Sequence, residues 1–311
     1  MEMSQLKLLL LWTTHKKIFQ NKLLDNYMTK KTNTIIDKIV LQVKNNLNEK
    51  KKSSSTIDMI NLANKDSRKV ISLSERITQK TLSDSNVAQI GLIAEIKRAS
   101  PSKGVFDKNF DAAEVADVYA SNGVSGISIL TEPDYFLGSL ADLRLCYENL
   151  LLNYKNDRPA ILRKDFIIDS FQVYESFING ADAFLLISKI LEKNQIVELM
   201  NHGKALGIEA LIEVHNKKEL LQALEIGAKL IGINNRNLDD FSENLELSIQ
   251  LSKEAPSDVV IISESGIRTV EDVRKLVEHN IDGILVGEAF MSGGFNHKNV
   301  SKKIRSFMMV E

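Results

Sequence analysis

Residues 92–104 read LIAEIKRASPSKG. The stretch opens as a short apolar run and then sets Glu95 and Lys97 two residues apart. Successive side chains alternate faces along a strand, so positions i and i+2 point the same way. An acid and a base therefore share one face at the end of a buried strand. Ser-Pro-Ser-Lys-Gly follows at once, a turn whose hydroxyls, lysine and glycine suit an anion.

The same unit, a buried strand with a polar residue at its end and then a helix, recurs down the chain. Strands are expected at Leu92–Lys97, Gly126–Thr131, Ala160–Lys164, Ala183–Ile187, Ala210–Val214, Leu230–Asn234, Val259–Ser263 and Gly283–Val286. Helical patterns lie between them. Asp169-Ser-Phe-Gln172 and Asn216-Lys-Lys-Glu219 have capping-box spacing, and Thr269-Val-Glu-Asp272 has it in a weaker form. Gly180, Gly207 and Gly227 stand where helices should stop. Each strand reads as apolar throughout, as expected when both faces are covered. A doubly wound open sheet would carry GxGxxG after its first strand, and that mark is absent. Eight strand–helix units over about 220 residues favour a closed (β/α)8 TIM barrel.

Upstream the pattern differs. Thr34-Ile-Ile-Asp37 reads as a capping pair opening a helix whose Ile35, Ile36, Ile39, Val40, Val43 and Leu47 share one face. Lys50, Lys51, Lys52 and three serines read as a solvated break after it. Residues 57–88 suggest one or two further short helices. The expected organisation is an unassigned extension over 1–33 and a single barrel domain over 34–311 that includes the helices of 34–90. Residues 1–33 are lysine-rich and acid-poor, which fits an organellar address such as a plastid one, an amphipathic helix or an unstructured extension. Without such an address the expected location is cytoplasmic. The apolar run Leu8–Trp12 is far short of the roughly 18 residues of a membrane span.

Composition narrows the function classes. The 311 residues carry 40 basic and 41 acidic side chains, a net charge of −1, so nothing global attracts nucleic acid. The single cysteine, Cys146, falls in a helical stretch, which excludes an internal disulfide and any multi-cysteine metal site and reads as core. The five histidines are scattered, and only His215 lies near a strand end, where it reads as a surface or capping residue. No metal site is evident.

In a (β/α)8 barrel the chemistry sits at the C-terminal strand ends. There the chain places Glu95, Lys97, Lys164, Glu213, Asn234, Glu264 and Ser265. Charges inside apolar strands are costly unless paired or used. A single one reads equally well as a structural ion pair; several at equivalent strand ends do not. A partly desolvated lysine loses pKa and a glutamate among carboxylates gains it, so the set suits proton shuttling on an anionic substrate. Ser263-Glu-Ser-Gly-Ile267 and Gly287-Glu288 follow the seventh and eighth strands, where barrels often bind phosphate through backbone N–H groups. Gly266 and Gly287 would allow that approach, with Ser100 and Lys97 completing the site.

These segments resemble the indole-3-glycerol phosphate synthase family of tryptophan biosynthesis. The resemblance rests on AEIKRASPSKG from Ala94, SILTEPDYFLGS from Ser128, LRKDFIID from Leu162 and GADAFLLI from Gly180. It continues with LIEVH from Leu211, GINNRNL from Gly232, SESGI from Ser263 and VGEAFM from Val286. Each motif is weak alone; the ordered set over roughly residues 34–300 is specific. The resemblance implies that the N-terminal helix packs over the barrel mouth. It also implies a lyase, specifically a carboxy-lyase, that closes the indole ring of 1-(2-carboxyphenylamino)-1-deoxyribulose 5-phosphate with loss of carbon dioxide and water. Position by position, Lys164 matches the general acid on the carbonyl and Lys97 the lysine holding the substrate's anionic groups. Glu213 and Glu95 match the glutamates of dehydration and deprotonation, and Asn234 a positioning amide. Glu264 and Ser265 complete the mouth, while Ser100, Arg236, Gly266, Gly287 and Glu288 fall near the phosphate. No cofactor, metal, nucleic acid or membrane is expected, only a phosphorylated small molecule. A monomer is expected, with association with other tryptophan-pathway enzymes as the alternative.

Two rivals fit less well. Phosphoribosylanthranilate isomerase uses a Cys–Asp pair, and Cys146 is not at a strand end. A non-catalytic binding barrel would keep the phosphate glycines and lose Glu95, Lys97, Lys164 or Glu213, all of which are present.

Overall fold

The computed structural model describes residues 29–32, 34–81 and 90–309. The run Leu8–Trp12, with any address it forms part of, and the end of the 57–88 helical reading lie outside them.

Eight parallel strands close on themselves in sequence order: β1 (Gly91–Ile96), β2 (Gly126–Leu130), β3 (Ala160–Lys164), β4 (Ala183–Ile187), β5 (Glu209–Val214), β6 (Leu230–Asn234), β7 (Val260–Glu264) and β8 (Gly283–Val286). Closure is made by β1, which pairs Gly91 with Gly283 of β8 on one side and Ile93 with Gly126 of β2 on the other. The expected boundaries hold to within a residue. Lys97 and Thr131 fall just past their strands, and Glu264 ends β7.

A helix follows each strand. These are α4 (Ala112–Ser121), α5 (Leu140–Tyr154), α6 (Ser170–Ile178), α7 (Lys193–Leu206), α8 (Lys217–Glu225), α9 (Glu246–Ser252), α10 (Val270–Val277) and, after β8, the short α11 (Glu288–Met291) and α12 (His297–Met308). Before the barrel come α1 (Ile35–Ser53), α2 (Thr56–Ala63) and α3 (Leu73–Thr81). Among the described residues no helix is long and apolar enough to cross a membrane.

The reading of the strands as apolar throughout needs one correction. Arg163 sits within β3 and is 2% exposed. It points away from the mouth, the opposite way to Lys164, as strand alternation requires. Asp165 at 2.9 Å and Glu175 at 3.0 Å neutralise it, and Thr131 and Ser176 take further N–H groups. A guanidinium with its donors used can be buried without an orphaned charge.

The capping signals also sort differently from their spacing. The weak one, Thr269–Asp272, forms a full reciprocal box. Asp169 accepts from Phe171 N–H, but Gln172 reaches one residue further back, to Ile168 N–H at 2.9 Å. Glu219 likewise passes Asn216 and accepts from His215 N–H at 2.8 Å, and Asp37 passes Thr34 to accept from Thr32 N–H at 2.8 Å. Gly207 ends α7 in the left-handed conformation at φ 75°, as a helix stop of this kind requires.

The N-terminal helices clamp both ends of the barrel. At the bottom, Leu73 and Ile77 of α3, both fully buried, press against the first residues of β1, β2 and β8, and those residues are glycines. A Cβ on Gly91 would stand 2.7 Å from Ile77 Cγ2, and one on Gly126 2.7 Å from Leu73 Cδ1. The Glu209 carboxylate caps α3 by accepting from the N–H groups of Leu73 at 2.5 Å and Ser74 at 3.0 Å. At the top, α1 lies across the mouth with Ile36 and Ile39 turned inward. Lys50 and Lys51, expected to be a solvated break, instead pair with Glu175 at 2.8 Å and Asp169 at 2.7 Å. Lys50 and Lys51 therefore tether the last turn of α1 to the third strand–helix unit, while Lys52 pairs with Glu49 of the same helix.

Candidate active site

Alternate strands of such a barrel contribute side chains to one interior layer. Here the odd strands each carry a charge at their last or next-to-last residue: Glu95 of β1, Lys164 of β3, Glu213 of β5 and Glu264 of β7. The even strands make room for them. A Cβ on Gly232 of β6 would overlap Glu264 Oε1, and one on Gly287, just past β8, would stand 2.5 Å from Glu95 Oε1. A four-membered charged layer at the mouth therefore follows from register and from these glycines.

Lys164 Nζ lies 2.7 Å from Glu213 Oε2 and 2.6 Å from Glu264 Oε2. Lys97 Nζ lies 2.5 Å from Glu95 Oε1, and Ser128 donates to the other Glu95 oxygen at 3.4 Å. The expected depression of the lysine pKa does not occur at Lys164. Burial opposes its charge, but Glu213, Glu264 and Glu95 outweigh that and hold its pKa above the usual lysine value. Its two partners diverge. Burial works against the Glu213 anion, yet Lys164 and His215 together keep its carboxyl below the usual range. Glu264 faces the same lysine, but burial and the neighbouring Glu213 charge push it up to about 7. Its Oε1 is buried without a hydrogen-bond partner.

All the expected site residues line one cleft of about 1100 Å³, counting its open mouth. Asn234 closes its β6 side, and its side chain accepts from Arg236 N–H at 3.0 Å. The β7 and β8 loops form one end of the cleft. Ser265 and Gly266 both have left-handed backbone, at φ 66° and 77°. That conformation is uncommon for serine and is a local constraint at the site. Arg236 reaches this end and donates to Ser102 Oγ at 2.6 Å, while Glu243 at 2.5 Å and Glu288 at 3.2 Å balance its charge. The Glu288 side chain is thus occupied by cations, including Lys103 at 3.5 Å. Ser100 is buried beside Ser102, with the two hydroxyls 3.5 Å apart. The opposite end is apolar, walled by Leu130, Phe136, Phe166 and Leu185 and roofed by Ile35, Ile36 and Ile39 of α1.

Several of these residues escaped sequence reasoning. Ser102 was legible in Ser-Pro-Ser-Lys but indistinguishable from Ser100. Asn235 holds the β7 loop by donating to the carbonyl oxygens of Glu264 at 3.0 Å and Ser265 at 3.1 Å, a role no local pattern announces. His215 needs correction. Its side chain is 8% exposed and lies between Glu213 and Glu219, so it is neither a surface residue nor a cap. Cys146 is core, as expected. Among the described residues no cluster of three or more His, Cys, Asp or Glu is arranged to hold a metal ion.

Gly232→Ala tests the packing of this layer. The added methyl displaces the end of a flexible side chain rather than backbone, so the fold should survive while Glu264 shifts away from Lys164. A displacement of about 1 Å at a reacting group costs on the order of 10²-fold in rate. Near-normal kcat in a folded Gly232→Ala protein would show that the position of Glu264 is unimportant.

Comparison with known proteins agrees with this geometry. The family model described as indole-3-glycerol phosphate synthase matches residues 36–307. The indole-3-glycerol phosphate synthase of Carboxydothermus hydrogenoformans is 46% identical over 218 residues, covering 69% of this chain and 79% of that protein. That of Lachnoclostridium phytofermentans is 35% identical over 282 residues, 88% of this chain and all of its own length (100%). Among solved structures, 3-hexulose-6-phosphate synthase from Salmonella typhimurium superposes with a TM-score of 0.55 at 14% identity, over 70% of this chain and 97% of its own. At that identity the likeness concerns the fold alone.

Proposed function

The chain belongs to the indole-3-glycerol phosphate synthase family, and from that premise we propose how its side chains divide the reaction. The protein converts 1-(2-carboxyphenylamino)-1-deoxyribulose 5-phosphate to indole-3-glycerol phosphate, with loss of carbon dioxide and water. The substrate has an aromatic acid at one end, a phosphate at the other and a ketone between them. The cleft has the same polarity: an apolar wall under α1, the β7 and β8 loops opposite, and the charged layer in the middle.

Ring closure joins the aromatic carbon bearing the carboxylate to the ketone carbon, and negative charge develops on the ketone oxygen. Lys164, kept fully protonated by its carboxylates, donates a proton there. Lys97 holds the substrate carboxylate until carbon dioxide leaves and aromaticity returns. The hydroxyl left by the ketone must then depart as water. That step needs an acid at the oxygen and a base at the proton lost in forming the ring double bond. Glu95, Glu213 and Glu264 supply these functions, with Asn234 positioning the intermediate. Arg236, Ser100, Ser265, Gly266, Gly287 and the backbone N–H of Glu288 receive the phosphate. One chain supplies every one of these groups, so the reading requires only a monomer.

The observation that carries this reading is Lys164, a charged lysine at 2.7 and 2.6 Å from two buried carboxylates at the cleft's centre. Purified protein given the substrate in the presence of a metal chelator should produce indole fluorescence. No product from the folded chain would sink the assignment. Arg236→Ala should raise KM with little change in kcat, because a phosphate contact is made equally in ground and transition states. A pure kcat loss would remove Arg236 from the phosphate site.

A further inference from the structure

The two carboxylates on Lys164 are alike in distance and unlike in what stands behind them. Behind Glu213, His215 Nε2 is 3.2 Å from Oε1, at ion-pair distance but off the axis of a hydrogen bond. On its other side His215 Nδ1 meets Glu219 Oε2 at 3.2 Å, and the same oxygen accepts from the His215 backbone N–H at 2.8 Å. The second Glu219 oxygen accepts from the Asn216 amide at 2.8 Å, so Glu219 is pinned from two sides. Glu264 has no comparable support. Its outer oxygen is buried, unpartnered and set against the bare backbone of Gly232.

We propose that His215 is a positioning residue: held as an imidazolium between Glu213 and Glu219, it keeps Glu213 ionised against Lys164, so that the exchangeable proton of the mouth resides on Glu264. The inference rests on the reading of Glu213 and Glu264 as working carboxylates and names what distinguishes them. It assigns Glu213 as the standing base and Glu264 as the group that gives and takes a proton.

The charges around the pair support this assignment. His215, just past β5, is faced by Glu213 of that strand and by Glu219 from α8. Across the mouth stand Lys164 of β3, Glu264 of β7, and Glu95 and Lys97 from the end of β1. Burial disfavours the imidazolium, but the two carboxylates outweigh it and push its pKa up to about 9. A histidine raised in the folded state stabilises the fold fully below its unfolded pKa of about 6.5 and loses that contribution as pH rises through the folded value. His215 is therefore charged at neutral pH. Without it, Glu213 and Glu264 would share one lysine on equal terms, and like charges so placed cannot both stay ionised cheaply.

Two measurements on the full-length chain decide the matter. In ¹⁵N-histidine NMR, the signals missing from His215→Gln identify His215. Both its ring nitrogens should show imidazolium shifts at pH 7 and titrate near pH 9, and Glu219→Gln should lower that midpoint. A neutral tautomer at pH 7 overturns the proposal, whatever the protein does with substrate. In steady-state kinetics, His215→Gln keeps a neutral donor and removes the charge. The acid limb of its kcat profile should move up by roughly 1–3 pH units, the usual effect of losing one adjacent charge, with KM nearly unchanged. A limb that stays in place while thermal stability falls would make His215 merely structural and overturn the proposal. If His215→Leu fails to fold, the wild-type spectrum and the glutamine variant still decide. Absence of turnover in every form would count against the catalytic reading, while the NMR measurement would still report the charge on His215.

Discussion

Lys164→Ala is expected to lower kcat by about 10²–10⁴-fold, the range for losing a general acid–base group. Lys164 serves two roles at once. In the proposed reaction it is the proton donor to the developing oxyanion, and in the structure it is the counter-ion that Glu213 and Glu264 share. Removing it leaves two buried carboxylates facing each other without a cation between them, so one takes up a proton and the acid–base order of the mouth is lost. Because the ammonium pKa is raised in the fold, its stabilising contribution is present at all neutral pH values and disappears only in strong alkali. Kinetics at pH 7, with circular dichroism to confirm the fold, would check the prediction. A loss below about tenfold would show that another group protonates the ketone oxygen.

Asp182→Ala is expected to destabilise the protein by about 3–5 kcal/mol, the cost of breaking a buried ion pair from one side. Asp182 is fully buried beneath the barrel. It accepts from Arg158 Nη1 at 2.5 Å and Nη2 at 2.9 Å, from Arg68 Nη1 at 3.0 Å, and from the backbone N–H groups of Ile161 and Ile71 at 2.9 and 3.1 Å. Arg158 itself is 1% exposed. Alanine would leave two guanidinium groups competing for solvent they cannot reach, and would release the segment leading into α3 from the barrel floor. A urea melt should show a lower midpoint, with kcat of the remaining folded protein little changed because the site lies at the other end. A shift worth less than about 1 kcal/mol would mean that water enters and solvates both arginines.

Much of the mouth was legible because its signal is local. A charge at the end of an apolar run is conspicuous, and a closed parallel barrel carries every such end to one face. Glu95, Lys97, Lys164, Glu213, Asn234 and Glu264 could therefore be assigned from spacing alone. Arg163 is not separable by local pattern from Lys164, its neighbour in the same strand; only alternation in the folded sheet sends the two to opposite sides. The α3 plug was invisible for a related reason. Its partners, Gly91, Gly126 and Gly283, are single glycines scattered over 193 positions, and nothing local marks them as facing one helix.

The sequence by itself determined the strand–helix period, the closed barrel and which polar side chains gather at its mouth, because these are read from neighbours a few residues apart. The tertiary structure decided the electrostatics: the raised lysine, the divergence of Glu213 from Glu264, and the burial of His215 between two acids. It also decided that Lys50 and Lys51, in the last turn of α1, are a tether. Ionisation depends on how much water is excluded and which charges lie within a few ångströms. Here those charges come from β1, β3, β5 and β7, up to 169 positions apart in the chain, and meet only when the barrel closes.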